Sequence, residues 1–236
     1  MLKKISFDIL KKYFSEFALI FISVVLAFAL TEWSSNQGDK VSQKTILREI
    51  NNGLKSDLID LQNNYNGHKI SVSSINYFAN WSKGSVKRND SLALHYLALF
   101  RNYSPIINKT GYESMKSSGL KTITNDSLRF KIIELYDFNY KIIEKLEDGA
   151  PELQDFQNYF KPINDVIYPN LIFSNQGQIV DIKPSDNLTE KNRQELLSYF
   201  WRMKNNRVLK ILRYKEVLNK LKLLEKSIIQ ELKNLD

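Results

Sequence analysis

A run of fourteen apolar residues near the N-terminus constrains the fold of this chain more than any other feature. Between Phe17 and Leu30 the only polar residue is Ser23. Fourteen helical residues rise about 21 Å, which falls short of a hydrocarbon core of about 30 Å. A helix from Tyr13 to Trp33 has 21 residues and is long enough to cross a bilayer. The sequence therefore predicts a transmembrane helix over residues 13–33.

The residues at the two ends of this helix are compatible with membrane interfaces. Tyr13 and Trp33 would form an aromatic belt. Glu16 and Glu32 would lie where a carboxylate can reach the headgroups or become neutral. Two other interpretations remain open. Apolar runs of this length also form core helices, and the small residues at positions 27 and 29 fit the cleavage rule of a signal peptide.

The distribution of basic residues predicts the orientation of the span. Residues 1–12 carry four lysines, and three basic residues follow the span by position 48. Cytoplasmic flanks carry an excess of Lys and Arg, and long domains cross a membrane largely regardless of their charge. We therefore expect a single-pass membrane protein with a cytoplasmic N-terminus and an extracytoplasmic domain over residues 41–236.

Composition favours a mainly α-helical domain. The chain has only 8 Gly and 5 Pro, too few for the frequent turns of a β-sandwich. It has no Cys, which excludes disulfide frameworks, zinc ribbons and thiol nucleophiles. Elongated helices with a helical period are therefore expected, joined by short turns.

The pattern along the chain divides the domain into recognisable parts. Residues 34–40 are polar and predict a hinge, and an apolar stripe with helical period runs from Ile46 to Tyr65. Residues 171–182 alternate around a turn and predict a small β-hairpin, which must pack on helices because a lone hairpin is marginal. From Asp186 onward there are 51 residues without Gly or Pro, which predicts a long helix over about 189–235.

The C-terminal helix carries a seam with nearly heptad spacing. A helix of this length measures about 70 Å and needs a partner for its apolar face. The stripe from Ile46 to Tyr65, antiparallel in the same chain, is one candidate, and a second subunit or another protein is the other. The predicted interaction seam consists of Tyr214, Val217, Leu221, Leu224, Ile228, Leu232 and Leu235.

The formal charge of +8 does not by itself indicate nucleic-acid binding. Basic and acidic residues are interleaved through most of the chain, as on solvated helix faces. The local excess between Lys204 and Lys226 lies on a helix whose other face is apolar, and anionic lipid headgroups would explain it equally well. Membrane lipid is therefore an expected partner and nucleic acid is not.

The polar residues predict no catalytic or metal site. Three strings, at 109–111, 118–121 and 185–187, match the K-T-G, S-x-x-K and S-D-N motifs of serine β-lactamases. Their order and spacing are wrong for that fold, so we interpret them as chance matches. His68, near a possible helix break at Gly67, is expected to be exposed, and Asp57 and Asp60 to lie on a solvated face. We predict no enzyme, no cofactor and no metal ion.

Several pieces of the chain, in this order, resemble an uncharacterised family of small single-span membrane proteins from Bacteroidota. They are residues 13–17, Glu32-Trp33, the helix 47–58, the stretch Gly111–Gly119, and 125–129 with Leu135-Tyr136. The span here is richer in aromatic residues than is usual in that family. The resemblance implies a membrane-anchored helical domain and no known activity.

Two functions are compatible with these features. The first is a membrane-anchored scaffold or sensor module that binds a partner, or a second copy of itself, through its helical seam. The second is a pore-forming or membrane-perturbing effector, in which the span oligomerises and Glu16, Ser23 or Glu32 line a path.

Overall fold

A long antiparallel pair of helices organises the fold. The computed structural model describes residues 7–85, 91–149 and 159–235. It confirms the predicted fold class: mainly helical, with a long N-terminal helix, a long C-terminal helix and a small hairpin. The elements are α1 (Phe7–Ser82), α2 (Leu92–Phe100), α3 (Thr110–Ser117), α4 (Asp126–Glu134), a π-helical turn (Leu135–Asn139), α5 (Tyr140–Asp148), α6 (Lys161–Ile167), β1 (Leu171–Phe173), β2 (Ile179–Ile182) and α7 (Glu190–Leu235).

Helix α1 is continuous through the segment predicted as a hinge. Residues 34–40 are helical and exposed, so they form a stalk between the apolar run and the domain. The polar composition of this segment reflects its exposure to water and does not break the helix. A Cβ added at Gly38 would meet no other atom within 4 Å, which agrees with a helix that stands free of the rest of the domain.

Gly67 lies inside α1 where Tyr103 approaches the helix closely, and it does not break the helix. A Cβ on Gly67 would lie 2.1 Å from Cε1 of Tyr103, so the tyrosine ring occupies the space that a side chain would need. Gly111 of α3 has the same role against the backbone of α1, where a Cβ would lie 2.4 Å from the amide nitrogen of Ile50. Both glycines allow neighbouring segments to approach α1 closely.

The apolar core has two parts along the α1–α7 pair. One joins the α1 stripe, from Ile46 to Leu61, to α7 from Tyr214 to Ile228, with α3, α4 and α5 packed around it. The other joins α1 from Ile75 to Trp81 to α7 from Leu196 to Met203. The start of α1's buried face therefore meets the end of α7, and the two helices run antiparallel.

The hairpin packs at the far end of α1, as its marginal intrinsic stability requires. Strands β1 and β2 pair antiparallel, with Leu171 opposite Ile182. Trp81 donates its indole N–H to the Lys183 carbonyl oxygen at 2.8 Å. Ser185 donates its hydroxyl to the Trp81 carbonyl oxygen at 2.6 Å. These two bonds fix the hairpin to the last turn of α1.

Candidate functional site

Apart from the half-buried Ala18, every residue of the apolar run is exposed. Within Tyr13–Ser82, the most apolar 18-residue window has a mean hydropathy of 2.2, and none of it is buried. Tyr13, Phe17, Leu30 and Trp33 are each at least 63% exposed. The core-helix interpretation is therefore wrong for this run. The chain has one described helix that is long and apolar enough to cross a membrane, and it lies near the N-terminus.

The hydroxyl group within the run and the one that directly follows it are bonded within their own helix. Ser23 donates to the Leu19 carbonyl oxygen at 2.8 Å, and Thr31 to the Ala27 carbonyl oxygen at 2.9 Å. Glu16 and Glu32 are exposed near the two ends of the run. The middle of the run therefore offers hydrocarbon with no free polar donor.

The predicted interaction seam lies against α1 of the same chain. Five of its residues, from Tyr214 to Ile228, are at most 3% exposed, and the last two, Leu232 and Leu235, are partly buried against the same core. Of the two alternatives for the seam, this structure contains the intrachain one. A partner that binds the folded chain must use another surface, because burying the seam against α1 leaves little of it accessible.

A polar layer separates the two parts of the core. His68 Nε2 lies 2.8 Å from Glu147 Oε1, and Lys210 donates to Glu147 Oε2 at 2.6 Å. Arg207 contacts His68 Nδ1 at 2.9 Å and donates to the Arg101 carbonyl oxygen at 2.6 Å. The four side chains of this layer, from α1, α5 and α7, are each at most 2% exposed. We call these four residues, His68, Glu147, Arg207 and Lys210, the ionic layer.

The hydrogen bonds of the ionic layer define the protonation state of His68. A guanidinium has no acceptor, so the N–H of Arg207 must donate to Nδ1, and Nε2 must carry the proton donated to Glu147. His68 is thus neutral, and burial lowers its pKa although Glu147 opposes the shift. Burial also lowers the pKa of Arg207 to about 10, so this residue stays charged at neutral pH.

Glu147 is the anionic centre of the ionic layer. Burial opposes its ionisation, but His68 and Lys210 outweigh burial and lower its pKa. Taking these charges from water is costly, and the hydrogen bonds within the layer offset that cost only while every partner is present. The prediction that His68 is exposed is wrong. Its side chain is fully buried at the centre of the domain, where it links α1 to α5 and α7.

Two carboxylates expected on a solvated face hold the segment that precedes α3. Asp57 is fully buried and accepts hydrogen bonds from the Asn108 amide and the Tyr140 hydroxyl, both at 2.8 Å. Asp60 accepts from the Ile106 amide at 2.9 Å. Burial raises the pKa of Asp57 although its two donors oppose the shift. The solvated-face interpretation is wrong for Asp57, which anchors backbone and gives no indication of catalysis.

A small groove lies beside the π-helical turn. Lys220 of α7 donates to Glu134 at 2.8 Å and to Asn139 at 3.0 Å. Asn139 in turn donates to the Glu134 carbonyl oxygen at 2.8 Å. The adjoining cavity has a volume of about 170 Å³ and a mostly apolar lining that includes Leu135 and Leu223. The partly exposed salt bridge between Lys220 and Glu134 lies at its rim.

Two residues of the β-lactamase-like strings, Ser185 and Lys109, have structural roles. Ser185 is 2% exposed and its hydroxyl is bonded to Trp81. Lys109 forms an ion pair with Glu144 at 2.9 Å. Within the described ranges, no three His, Asp or Glu side chains are grouped so that they could hold a metal ion.

The ionic layer was not predicted from the sequence, because the prediction followed only the apolar residues of each helix face and the four residues of the layer are polar. On α7, the spacing of Met203, Arg207, Lys210 and Tyr214 continues the seam toward the N-terminus without interruption. On α1 the buried face likewise continues through Asp57, Asn64, His68, Ser71 and Ile75. Polar residues at heptad core positions were the available signal, since such residues specify register.

Comparison with known proteins gives one family match. A family model described as a family of unknown function (DUF6090) matches residues 16–159. The match includes the Gly111–Gly119 stretch and the whole apolar run from Phe17 to Leu30. Searches of curated proteins and of solved structures returned no match.

Proposed function

Because the chain belongs to DUF6090, a family of unknown function, we propose its role from its own geometry: a membrane-anchored interaction module, acting as scaffold or sensor without catalysis. Its span would be residues 13–33, with the N-terminus in the cytoplasm and the domain outside. Membrane lipid is then one partner, and a protein bound by the helical domain is the other.

The observation that supports this proposal most directly is the continuity of α1. The same helix contains the exposed apolar run and, from Gln43 onward, one half of the domain's central helix pair. From Trp33 to Ser82 it rises about 74 Å. A helix anchored in lipid at one end and packed in a core at the other transmits position and orientation between the two, which is what an anchored module requires.

The state of the buried ionisable groups favours a non-catalytic role. The groups of the ionic layer are bonded to one another and lie beneath the surface, whereas a catalytic acid or base must reach a substrate. The pore-forming alternative gains no support from the described residues. Ser23, the one polar residue between Phe17 and Leu30, satisfies its hydroxyl within its own helix.

A single-cysteine labelling experiment tests the proposal, since the chain has no native Cys. Ile106 is 80% exposed on the domain, so Ile106→Cys provides one reactive site. We expect the full-length variant to stay in the membrane after carbonate washing and to react with an impermeant maleimide in intact cells. Labelling only after lysis would reverse the orientation. An untrimmed chain in the soluble fraction would refute the anchor.

A further inference from the structure

The outer face of α7 carries an apolar stripe that nothing in the described part of the chain covers. Helical residues are about 100° apart, so Trp201, Val208 and Leu212 fall within an arc of about 40°. They are 71%, 40% and 60% exposed. The opposite face of the same segment packs against α1. An exposed row of large apolar residues on one helix face is typical of a binding surface.

Cations border this stripe on both sides. Between Leu196 and Lys215 the sequence contains no acidic residue. Lys204 and Lys215 lie along one edge of the stripe, and Arg202 lies along the other. All three are exposed, and none takes part in an ion pair with the described residues. The surface thus has an apolar centre and a positive rim.

A second copy of the chain does not fit this pattern. A two-fold contact between two such stripes around Val208 would bring Lys204 of one copy close to Lys215 of the other, and neither lysine forms an ion pair with the described residues. Like charges facing each other oppose association. The stripe's own charge therefore favours an acidic partner.

A lipid surface does not fit it either. Arg207, on the same stretch of α7, contacts His68 of α1. His68 is 35 residues beyond Trp33, which is about 53 Å along the helix. With α1 upright on the membrane, the stripe stands well above the headgroups and outside the range of their field.

We propose that the outer face of α7 from Trp201 to Lys215 docks an amphipathic helix of another protein, whose apolar stripe is flanked by carboxylates. Trp201 and Leu212 would enter the partner's apolar seam, and the cations would pair with its acidic edges. Tryptophan and arginine are the residues that most often dominate such contacts. This inference rests on the proposed function and names the partner of that module.

A designed peptide tests the chemistry of the surface on the full chain in detergent. The probe is a helical peptide with Leu at heptad core positions and Glu at the flanking ones, and the control peptide has Lys in place of Glu. We expect the Glu peptide to bind, and Leu212→Glu to weaken binding at least about tenfold. Leu97 of α2 is 58% exposed, so Leu97→Glu is a matched control that leaves binding unchanged. Equal binding of both peptides, or normal binding by Leu212→Glu, overturns the proposal.

Photo-crosslinking in cells identifies the natural occupant. A photoreactive residue at Asn205, exposed within the stripe, should give an adduct that maps to an acidic amphipathic helix of a different protein. An adduct with a second copy, an adduct with lipid, or no adduct overturns the proposal. Carbonate washing of the same cells separates the two ideas. A failed crosslink with the chain retained in the membrane refutes this surface alone, whereas loss from the membrane refutes the anchored module.

Discussion

Replacing Lys210 by Met should destabilise the domain strongly, because it leaves a buried carboxylate without its ammonium partner. Lys210 and Glu147 have side chains only 2% and 1% exposed and are 2.6 Å apart. Breaking a buried pair by removing one member costs about 3–5 kcal/mol. The bond from His68 to Glu147 remains and places the expected loss toward the lower end of that range.

Thermal unfolding of the full chain in detergent, followed by circular dichroism, measures this loss. For a domain of this size 1 kcal/mol corresponds to about 2–4 °C, so a loss of about 3 kcal/mol should lower Tm by roughly 6–12 °C. Lys220→Met on the same helix is the matched control. Its pair with Glu134 is 37% and 36% exposed, and removing such a pair costs at most about 1 kcal/mol.

A double variant separates the pair from its surroundings. Glu147→Gln with Lys210→Met removes both charges, so it should be more stable than the sum of the two single losses predicts, with a coupling of about 2 kcal/mol or more. Additive losses, or a Lys210→Met variant as stable as Lys220→Met, would refute the assignment of an energetically coupled buried pair.

Three further predictions concern other described contacts. Lowering the pH from 7 to 5 should lower Tm, because burial lowers the pKa of His68 in the folded chain, so the unfolded chain, with a pKa of about 6.5, takes up the proton at a higher pH than the folded chain does; a His68→Gln variant that keeps the same slope would contradict this. Gly111→Ala should lower the unfolding free energy by about 1–3 kcal/mol through its clash with α1, whereas Gly38→Ala in the stalk should not lower Tm at all. Asn125→Ala should cost about 1 kcal/mol, since the Asn125 side chain caps α4 by accepting from the Leu128 amide; an unchanged denaturation midpoint would reject that role.

Periodicity was sufficient to predict the fold class and the hairpin. The stripe from Ile46 and the seam from Tyr214 each follow a helical repeat, and the turn between the predicted strands contains Gly177 in a left-handed conformation (φ 76°). The helical repeats and the turn glycine predict structure correctly because each depends on residues within a single helix or turn. The polar stretch 34–40 was predicted as a hinge but is helical. In a helix segment that packs against no other element, polar residues reflect exposure to water and say little about backbone conformation.

The ionic layer could not be predicted from local signals. His68 and Glu147 are 79 positions apart, and His68 and Arg207 are 139 apart. Only the packing of three helices brings these side chains together. The heptad positions of Arg207 and Lys210 indicated burial, but nothing in one sequence specifies which anion would meet them.

Because helix α1 is unbroken, the distance of the domain from the apolar run and the rotation of the domain about the helix axis change together. Each residue added to the stalk 34–40 would raise the domain by about 1.5 Å and turn it by about 100° about the helix axis. One added residue would therefore turn the Trp201 face of α7 away from a bound partner. Seven added residues would move the domain by about 10 Å and restore nearly the same orientation about the helix axis. The number of residues in the stalk therefore determines both how far the domain lies from the apolar run and which way the Trp201 face points.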